Sequence, residues 1–268
     1  LKFANQLSKD AILIACQDNE KVAEVLKSYN GRRITYGFSK DNDFVIENVE
    51  SENGKLGFDL IGKGKKLGKF ELNVFGYHNA LNATAAIIAS LEVGLSVNAI
   101  KKALLLFIGT KRRSEYLGLL ATGAMVFDDY AHHPTEIRST LFAFRDSFPK
   151  NKIVCIFQPH TYSRTKSLFE QFIHSFDNAD TVILTNIYAS LREQPDPTVS
   201  SKWLVEKMKR FKKNVIFLPK LYDVVKYILQ EQFGRDTIII TMGAGDVYKI
   251  NSKFKIQNDY GKIDNKGR

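Results

Sequence analysis

The feature that most constrains the fold is a regular alternation of apolar strands and amphipathic helices between residues 116 and 242. Strands are predicted at 116–120, 124–128, 152–158, 181–186, 215–218 and 237–242. Helices are predicted between them at 134–148, 164–176, 200–210 and 221–232. Strands that alternate with helices of roughly 10–15 residues indicate parallel pairing. This half of the chain therefore predicts an α/β fold with a doubly wound, mostly parallel sheet.

The first 108 residues show a different pattern. A strand at 11–16, a helix at 19–29 and a strand at 33–37 again alternate, but short strands then follow at 44–49, 56–61 and 70–75. Gly, Lys and Asn separate these three strands, a pattern typical of an antiparallel meander. A helix at 79–93 ends at Gly94, and Ser96 caps a second helix that ends near Phe107.

The polar stretch 109–113 predicts a connector between two domains, 1–108 and 114–250, and the polar residues 251–268 predict a frayed tail. The first residue is Leu1 rather than Met, so we expect the chain to be a piece of a longer protein.

Composition excludes several classes of protein. Apolar residues make up 44% of the 268 residues and aromatic residues 12%, too many for a disordered chain. No apolar run reaches the ~18 residues of a membrane span, and no signal peptide is recognisable, so we expect no membrane partner and a cytoplasmic location. Cys16 and Cys155 lie in apolar strands, which predicts buried thiols rather than a disulfide.

The formal net charge of +10 is spread along the chain, often as pairs of lysines on polar faces. Such a distribution is typical of a solvated surface. Zinc-finger cysteines, RNA-recognition aromatic motifs and a basic tail are missing from the sequence, so we expect no nucleic-acid partner. Phosphate-bearing small molecules are the anionic partners that remain.

Polar clusters follow three of the predicted strands, at 128–136, 158–165 and 243–246. Ligands of open parallel sheets bind beyond the carboxyl ends of the strands, where helix N-termini also favour anions. The first two clusters bring carboxylates, histidines and an arginine to neighbouring strand ends and predict an active site there. Each residue also has a structural alternative: Asp128 and Asp129 could cap a helix, and His132 and His133 could form the turn before Pro134.

Glycines and histidines elsewhere carry weaker signals. The adjacent pair His132 and His133 has no third ligand at a recognisable spacing, so no metal site is expected. The segment 243–246 fits a phosphate-binding turn and a tight strand-to-helix turn equally well. The glycines at 62–68 do not fit the phosphate-loop pattern and predict a hairpin turn.

Longer motifs in the same regions resemble the Mur ligase family, the ATP-dependent amide-bond-forming ligases of peptidoglycan synthesis. They are GYHNALNATAA at 76–86, GTKRR at 109–113 and DDYAHHPTE at 128–136. FQPHTYSRT at 157–165, YASLRE at 188–193 and TMGAGD at 241–246 look most like the branch that joins L-alanine to UDP-N-acetylmuramate. The resemblance covers residues 1 to about 250.

The resemblance implies a partial central ATPase domain at 1–108, followed by a doubly wound, mostly parallel dinucleotide-fold C-terminal domain at 114–250. A UDP-binding domain, a phosphate loop and the magnesium ligands would lie upstream of this chain. ATP and Mg²⁺ are the implied cofactors, and the chain alone would be inactive.

Site residues follow from the matched motifs. The resemblance implies that the residues binding ATP are His78, Asn79 and Asn82 at the adenine, Arg112 and Arg113 at the phosphates, and Asp129 at the ribose. It implies that the residues meeting the muramoyl substrate and the amino acid are Tyr130, His132, His160 and Arg164. The residues expected to act in catalysis are Arg113, Asp129 and His132. The family commonly carries Phe where this chain has Ser114, and Arg where it has Thr161.

The implied reaction has two steps: the carboxylate of UDP-N-acetylmuramate is phosphorylated by ATP, and the amine of L-alanine then displaces phosphate. Two alternatives remain open from the sequence. One is the recycling branch of the family, which attaches a ready-made tripeptide to UDP-N-acetylmuramate. The other is a non-catalytic module that binds a nucleotide or a nucleic acid.

Overall fold

The computed structural model describes residues 1–52, 54–191 and 193–257. The chain divides into two compact units, Leu1–Ile108 and Gly109–Arg268, and each is described by itself. Both units are mixed α/β, so the predicted fold class is confirmed. None of the helices in the described ranges is long and apolar enough to cross a membrane.

The amino-terminal unit is a five-stranded sheet with helices packed on it. Its elements are a 3-10 helix at Ala4–Gln6, β1 (Leu13–Cys16), α1 (Glu20–Lys27), β2 (Arg33–Gly37), β3 (Phe44–Glu52), β4 (Lys55–Gly62), β5 (Lys65–Leu72), α2 (Tyr77–Glu92) and α3 (Val97–Leu106). The strands lie in chain order, parallel from β1 to β3 and antiparallel from β3 to β5. The antiparallel meander is therefore confirmed.

Local sequence signals explain most element boundaries in this unit. Asn19 accepts hydrogen bonds from the backbone N–H groups of Lys21 and Val22 and begins α1, and the Ser96 hydroxyl caps α3 as predicted. The third meander strand starts five residues earlier than the predicted 70–75, because a tight turn pairs Gly62 directly with Lys65. This strand lies at the sheet edge, where lysines facing solvent are common.

The carboxyl-terminal unit contains a six-stranded sheet in the order β10-β9-β8-β11-β7-β6. Its elements are β6 (Glu115–Leu119), β7 (Met125–Asp129), α4 (Pro134–Ser147), β8 (Lys152–Phe157), α5 (Tyr162–Ser167), α6 (Phe169–Ile173), β9 (Thr181–Leu184), α7 (Ser201–Met208), β10 (Val215–Phe217), α8 (Leu221–Gln230), β11 (Thr237–Met242) and a 3-10 helix at Val247–Lys253. All neighbouring strands are parallel except β6, which runs antiparallel to β7. The mostly parallel sheet is confirmed.

Two predictions for this unit need correction. The helix predicted at 164–176 is two short helices that meet at Leu168. Residues 251–257 are not frayed: Ile250 and Phe254 are buried in the core cluster of the unit, and Gln257 pairs with Leu119. Ile250 and Phe254 are only two apolar residues in a polar segment, so the sequence pattern did not predict that this segment packs on the core. Residues 258–268 lie outside the described ranges.

Candidate active site

The carboxyl ends of four strands lie side by side in the second unit. Met242, the last residue of β11, pairs with Asp129 of β7 on one side and with Phe157 of β8 on the other. Phe157 in turn pairs with Leu184 of β9. The loops that follow these strands therefore start at the same level of the sheet edge, which is where open parallel sheets bind ligands. The three polar clusters found in the sequence all belong to these loops.

Arg112 is fixed inside the carboxyl-terminal unit. Its Nε donates to a carboxylate oxygen of buried Asp128 at 3.0 Å, and its Nη2 donates to the carbonyl of Gly243 at 2.5 Å. The guanidinium also lies 4.8 Å from the ring centroid of Tyr130 and 4.4 Å from that of Tyr248. Two aromatic faces and an ion pair thus hold the side chain that the resemblance assigned to ATP phosphates.

Asp128 is itself part of a buried network. Burial raises the pKa of this carboxyl group, and hydrogen bonds from Thr241 and Arg112 oppose the rise. The Thr241 hydroxyl donates to Oδ1 at 2.6 Å, and Asn251 Nδ2 lies 3.4 Å from the same oxygen. Both residues lie close to the glycine turn, so Asp128 joins the end of β7 to the end of β11.

Asp129 is almost fully buried at the same strand end. Its Oδ2 accepts the backbone N–H of Ser114 at 2.7 Å and the Ser114 hydroxyl at 3.2 Å, and its Oδ1 accepts the N–H of Ala131 at 2.7 Å. Burial raises the pKa of Asp129, and these hydrogen bonds oppose the rise. Ser114, which departs from the family pattern, therefore fastens the connector to β7 with its own hydroxyl.

Arg113 differs from its neighbour Arg112 because it is exposed. Its guanidinium carbon lies 5.9 Å from the Tyr130 ring centroid. Its charge also acts on Asp129 and Glu136, opposing the rise in the pKa of the first and helping to lower the pKa of the second. Of the two connector arginines, Arg113 is the one whose charge faces solvent above the strand ends.

His132 and His133 begin helix α4 together with Glu136. The carboxylate of Glu136 accepts the backbone N–H of His132 at 3.0 Å and of His133 at 3.2 Å, and His133 Nδ1 accepts the N–H of Thr135. This is a capping box, so the structural alternative considered for these histidines is present. The ring of His132 contacts two acceptors through Nδ1, the carbonyl of Tyr130 at 3.0 Å and Glu136 at 3.3 Å. We therefore assign a proton to Nδ1, which leaves Nε2 of the neutral ring as an acceptor.

His160 carries its proton on the other nitrogen. Its Nδ1 lies 3.1 Å from Nη1 of Arg164, and a guanidinium can only donate, so Nδ1 accepts and Nε2 holds the proton. The ring stacks on Tyr188, with centroids 5.6 Å apart and an angle of 21° between the planes. Burial, followed by the charges of Arg164 and His132, lowers the pKa of His160 below its usual value of 6.5.

Gln158 shapes the glycine turn after β11. Its Oε1 accepts the backbone N–H of Asp246 at 2.8 Å and of Val247 at 3.0 Å, and its Nε2 donates to Asp246 at 2.9 Å. A Cβ on Gly245 would lie 2.3 Å from that same Oε1, so only glycine fits. Two N–H groups that a phosphate would need are thus bound to Gln158, which favours the structural turn over the phosphate-binding turn.

The amino-terminal unit holds the three residues assigned to adenine. All lie in the first turns of α2, with His78 and Asn79 half-buried and Asn82 exposed. Asn79 lies inside the helix rather than at its capping position, which is Gly76, and its Nδ2 donates to the carbonyl of Phe75 at 2.7 Å. Asn82 Nδ2 lies 3.4 Å from Asn79 Oδ1, which places the two amides together on one face.

No group of three or more His, Cys, Asp or Glu side chains in the described ranges could hold a metal ion. We assign no described residue as a magnesium ligand and derive no chemical step through Mg²⁺.

Four further side chains organise the site without having been predicted as site residues: Glu136, Gln158, Glu193 and Tyr248. Glu136 had a local signal, since a glutamate at the third position of a helix that begins with Pro134 is typical of a capping box. Tyr248 had none, because its contact with Arg112 joins residues far apart in the chain.

Taken together, the strand ends offer a donor at His160 Nε2, an acceptor at His132 Nε2 and the guanidinium groups of Arg113 and Arg164. Cations and a ring N–H bind carboxylate or phosphate oxygens, and an imidazole nitrogen without a proton can take one from an amine. The arrangement suits a reaction between an activated carboxylate and an amine.

Comparisons with known proteins agree on one family. The Mur ligase middle domain matches residues 1–90, and the Mur ligase glutamate ligase domain matches residues 112–245. The UDP-N-acetylmuramate–L-alanine ligase of Clostridium tetani is 42% identical over 254 residues, which is 94% of this chain and 55% of the relative. The ligase of the same name from Caldanaerobacter subterraneus is 37% identical over 258 residues, 96% of this chain and 55% of the relative.

Solved structures give the same picture. The UDP-N-acetylmuramate–alanine ligase MurC of Thermotoga maritima has a TM-score of 0.74 at 27% identity, over 91% of this chain and 50% of that one. MurF of Acinetobacter baumannii has a TM-score of 0.72 over 94% of this chain and 52% of that one, but at 14% identity it shows the fold alone. The chain spans about half the length of the relatives it matches.

Proposed function

The chain belongs to the Mur ligase family, and on that premise we propose that it is the carboxyl-terminal, catalytic part of a ligase that joins L-alanine to UDP-N-acetylmuramate. The enzyme would be an ADP-forming acid–amino-acid ligase of the cytoplasm that serves cell wall synthesis. The observation that carries the proposal is the 42% identity with a ligase of this name over 94% of the chain, which spans both units. The geometry at the carboxyl edge of the second sheet supports it.

In this reaction ATP supplies the phosphoryl group that makes the substrate carboxylate a good acylating agent. The carboxylate of UDP-N-acetylmuramate takes the γ-phosphoryl group and ADP leaves; the amine of L-alanine then forms the C–N bond and phosphate leaves. Arg113 is the cation assigned to the transferred phosphoryl group, because it is exposed on the connector whereas Arg112 is bound internally.

His132 and His160 have different roles in the second step. His132 Nε2 takes the proton that the amine loses when the C–N bond forms. His160 Nε2–H and the Arg164 guanidinium hold a carboxylate or phosphate oxygen beside it, and Tyr130 lines the same edge.

The resemblance assigns His78, Asn79 and Asn82 of the amino-terminal unit to the adenine of ATP. The amides of Asn79 and Asn82 carry both the donor and the acceptor that a base edge requires. The matched motif assigns Asp129 to the ribose; its carboxylate is buried and accepts three hydrogen bonds from Ser114 and Ala131.

The experiment measures phosphate release by two proteins, the chain alone and the chain fused to the amino-terminal part of the Clostridium tetani ligase that it does not cover. ATP, Mg²⁺ and UDP-N-acetylmuramate are supplied, and L-alanine or the tripeptide L-Ala-γ-D-Glu-diamino acid is added separately. We expect release only from the fusion and only with L-alanine. The intact Clostridium tetani ligase is the positive control.

Other outcomes would decide between the alternatives. Release with the tripeptide alone would assign the chain to the recycling ligases. If the fusion releases no phosphate with either acceptor, the ligase proposal is rejected. Salt-dependent binding of random DNA near physiological ionic strength would then favour a nucleic-acid-binding module.

A further inference from the structure

Glu193 lies in the loop after β9 but binds the first turn of helix α5, which follows β8. One carboxylate oxygen accepts the backbone N–H of Tyr162 at 2.6 Å and of Ser163 at 3.2 Å. The other accepts the Ser163 hydroxyl. Three donors of one segment therefore converge on a carboxylate from another loop.

Helix α5 needs this partner because it lacks a cap of its own. Thr161 occupies the capping position with a φ of 68°, a conformation that L-residues rarely adopt, and its side chain makes no capping hydrogen bond. The first N–H groups of a helix have no partner within the helix, so an outside acceptor must satisfy them. Glu193 supplies that acceptor.

The same two loops are joined by the backbone. Thr161 N–H donates to the carbonyl of Tyr188 at 2.8 Å, and Tyr188 N–H donates to the carbonyl of Pro159 at 2.9 Å. Tyr188 also stacks on the ring of His160. The segment that carries His160 is thus held at its start by Tyr188 and at its end by Glu193.

The two residues of this loop that are proposed to contact substrate, His160 and Arg164, lie on either side of the residues that Glu193 caps. His160 lies two residues before Tyr162, and Arg164 follows Ser163 directly. Their mutual hydrogen bond of 3.1 Å sets the tautomer of His160 and requires the helical turn between them. Loss of the cap is therefore expected to move the side chains of both His160 and Arg164.

We infer that Glu193 is a positioning residue, which holds His160 and Arg164 in their mutual arrangement by capping helix α5 from the neighbouring loop. Its importance for catalysis rests on the proposed function, whereas the capping itself does not. A glutamine at position 193 could keep the cap, because its amide oxygen can accept the two N–H groups and its NH₂ can donate to the Ser163 hydroxyl; Glu193→Gln therefore removes the charge alone, whereas Glu193→Ala removes both acceptors.

The test follows the ring signals of His160 by NMR during a pH titration of the chain, in the wild type, in Glu193→Ala and in Glu193→Gln. Removing the charge of Glu193 would by itself lower the pKa of His160, since that charge raises it. Displacement of His160 from its position would raise its pKa, because burial and the charge of Arg164 are the larger influences and both lower this pKa. We expect the pKa of His160 to rise in Glu193→Ala and to fall in Glu193→Gln.

Control variants distinguish a change in the position of His160 from a change in charge and from a failure to fold. Glu206→Gln removes the same charge from an exposed site on α7 and is expected to leave His160 unchanged. Glu193→Asp keeps a carboxylate and should restore part of the wild-type value. If Glu193→Ala does not fold, Ser163→Ala removes a single donor of the cap and is expected to shift the pKa of His160 in the same direction by less.

An unchanged or lowered pKa of His160 in folded Glu193→Ala would overturn the inference. The outcome is independent of the proposed function: a raised pKa in a chain whose fusion shows no ligase activity would keep the positioning role and reject the function. Active fusions of the wild type and of Glu193→Ala with equal KM for L-alanine would reject the catalytic importance of the cap. We expect that KM to rise about tenfold, by analogy with other misplaced binding groups, with the KM for ATP unchanged.

Discussion

The rings of His132 and His160 lie with their centroids 6.0 Å apart and carry their protons on opposite nitrogens. In His132 the proton lies on Nδ1, which contacts the carbonyl of Tyr130; in His160 it lies on Nε2, because Arg164 donates to Nδ1. An acceptor nitrogen and a donor N–H thus belong to neighbouring loops. Neither arrangement can be read from the ring positions alone, since the partner of the other nitrogen decides it.

Arg112→Met should destabilise the carboxyl-terminal unit by about 3 kcal/mol, because it leaves the carboxylate of Asp128 buried without its ionic partner. Urea unfolding followed by the fluorescence of Trp203, the single tryptophan, reports on this unit. The double variant Arg112→Met/Asp128→Asn should recover part of the loss. A single variant as stable as the wild type would show that the ion pair contributes nothing.

Arg113→Ala should leave the unfolding free energy within about 0.5 kcal/mol of the wild type, because the side chain is exposed. In the fusion ligase the same change should lower kcat by about 10²–10³, the usual effect of removing a group that stabilises a transferred phosphoryl. Phosphate release at saturating substrates measures it. An unchanged kcat would refute the role assigned to Arg113.

The stability of the carboxyl-terminal unit should fall as the pH drops below about 6.5, in part because of His160. Its pKa is lowered in the folded state, so the unfolded chain binds more protons in this range and is favoured by acid. Thermal unfolding of the wild type and of His160→Gln between pH 5 and pH 8 tests this. The difference in Tm between the wild type and His160→Gln should become smaller at acidic pH and stay constant above pH 7.5. A difference that does not change with pH would contradict a lowered pKa of His160.

Gly245→Ala should destabilise the same unit by about 1–3 kcal/mol, the typical result of overpacking. The new Cβ would lie 2.3 Å from Gln158 Oε1 and 2.8 Å from Tyr188, and Gln158 cannot withdraw without losing its hydrogen bonds. Gly234→Ala is the control, because its nearest neighbour lies 3.6 Å away. Equal stability of the two variants, measured by urea unfolding, would show that the turn adapts.

Sequence patterns predicted the elements whose signals are local. The parallel strands of the second unit are apolar runs bounded by turns, and the caps at Asn19 and Ser96 need only the residues that follow them. Edge strands and short helices were placed less well, because β5 is rich in lysine and α5 begins without a capping side chain.

The sequence by itself determined the fold class, the family and the strand ends at which the polar residues collect. The matched motif favoured Arg113 over Arg112 for catalysis, but only the tertiary structure showed the physical difference between these adjacent residues: Arg112 is bound internally and Arg113 is exposed. Arg112 bonds to a carbonyl 131 positions away at Gly243, and Glu193 binds a helix turn 31 positions before it. Such contacts depend on the order and register of the strands, which bring distant loops to one edge. Local periodicity and capping fix an element, whereas the packing of the sheet decides which side chains meet across it.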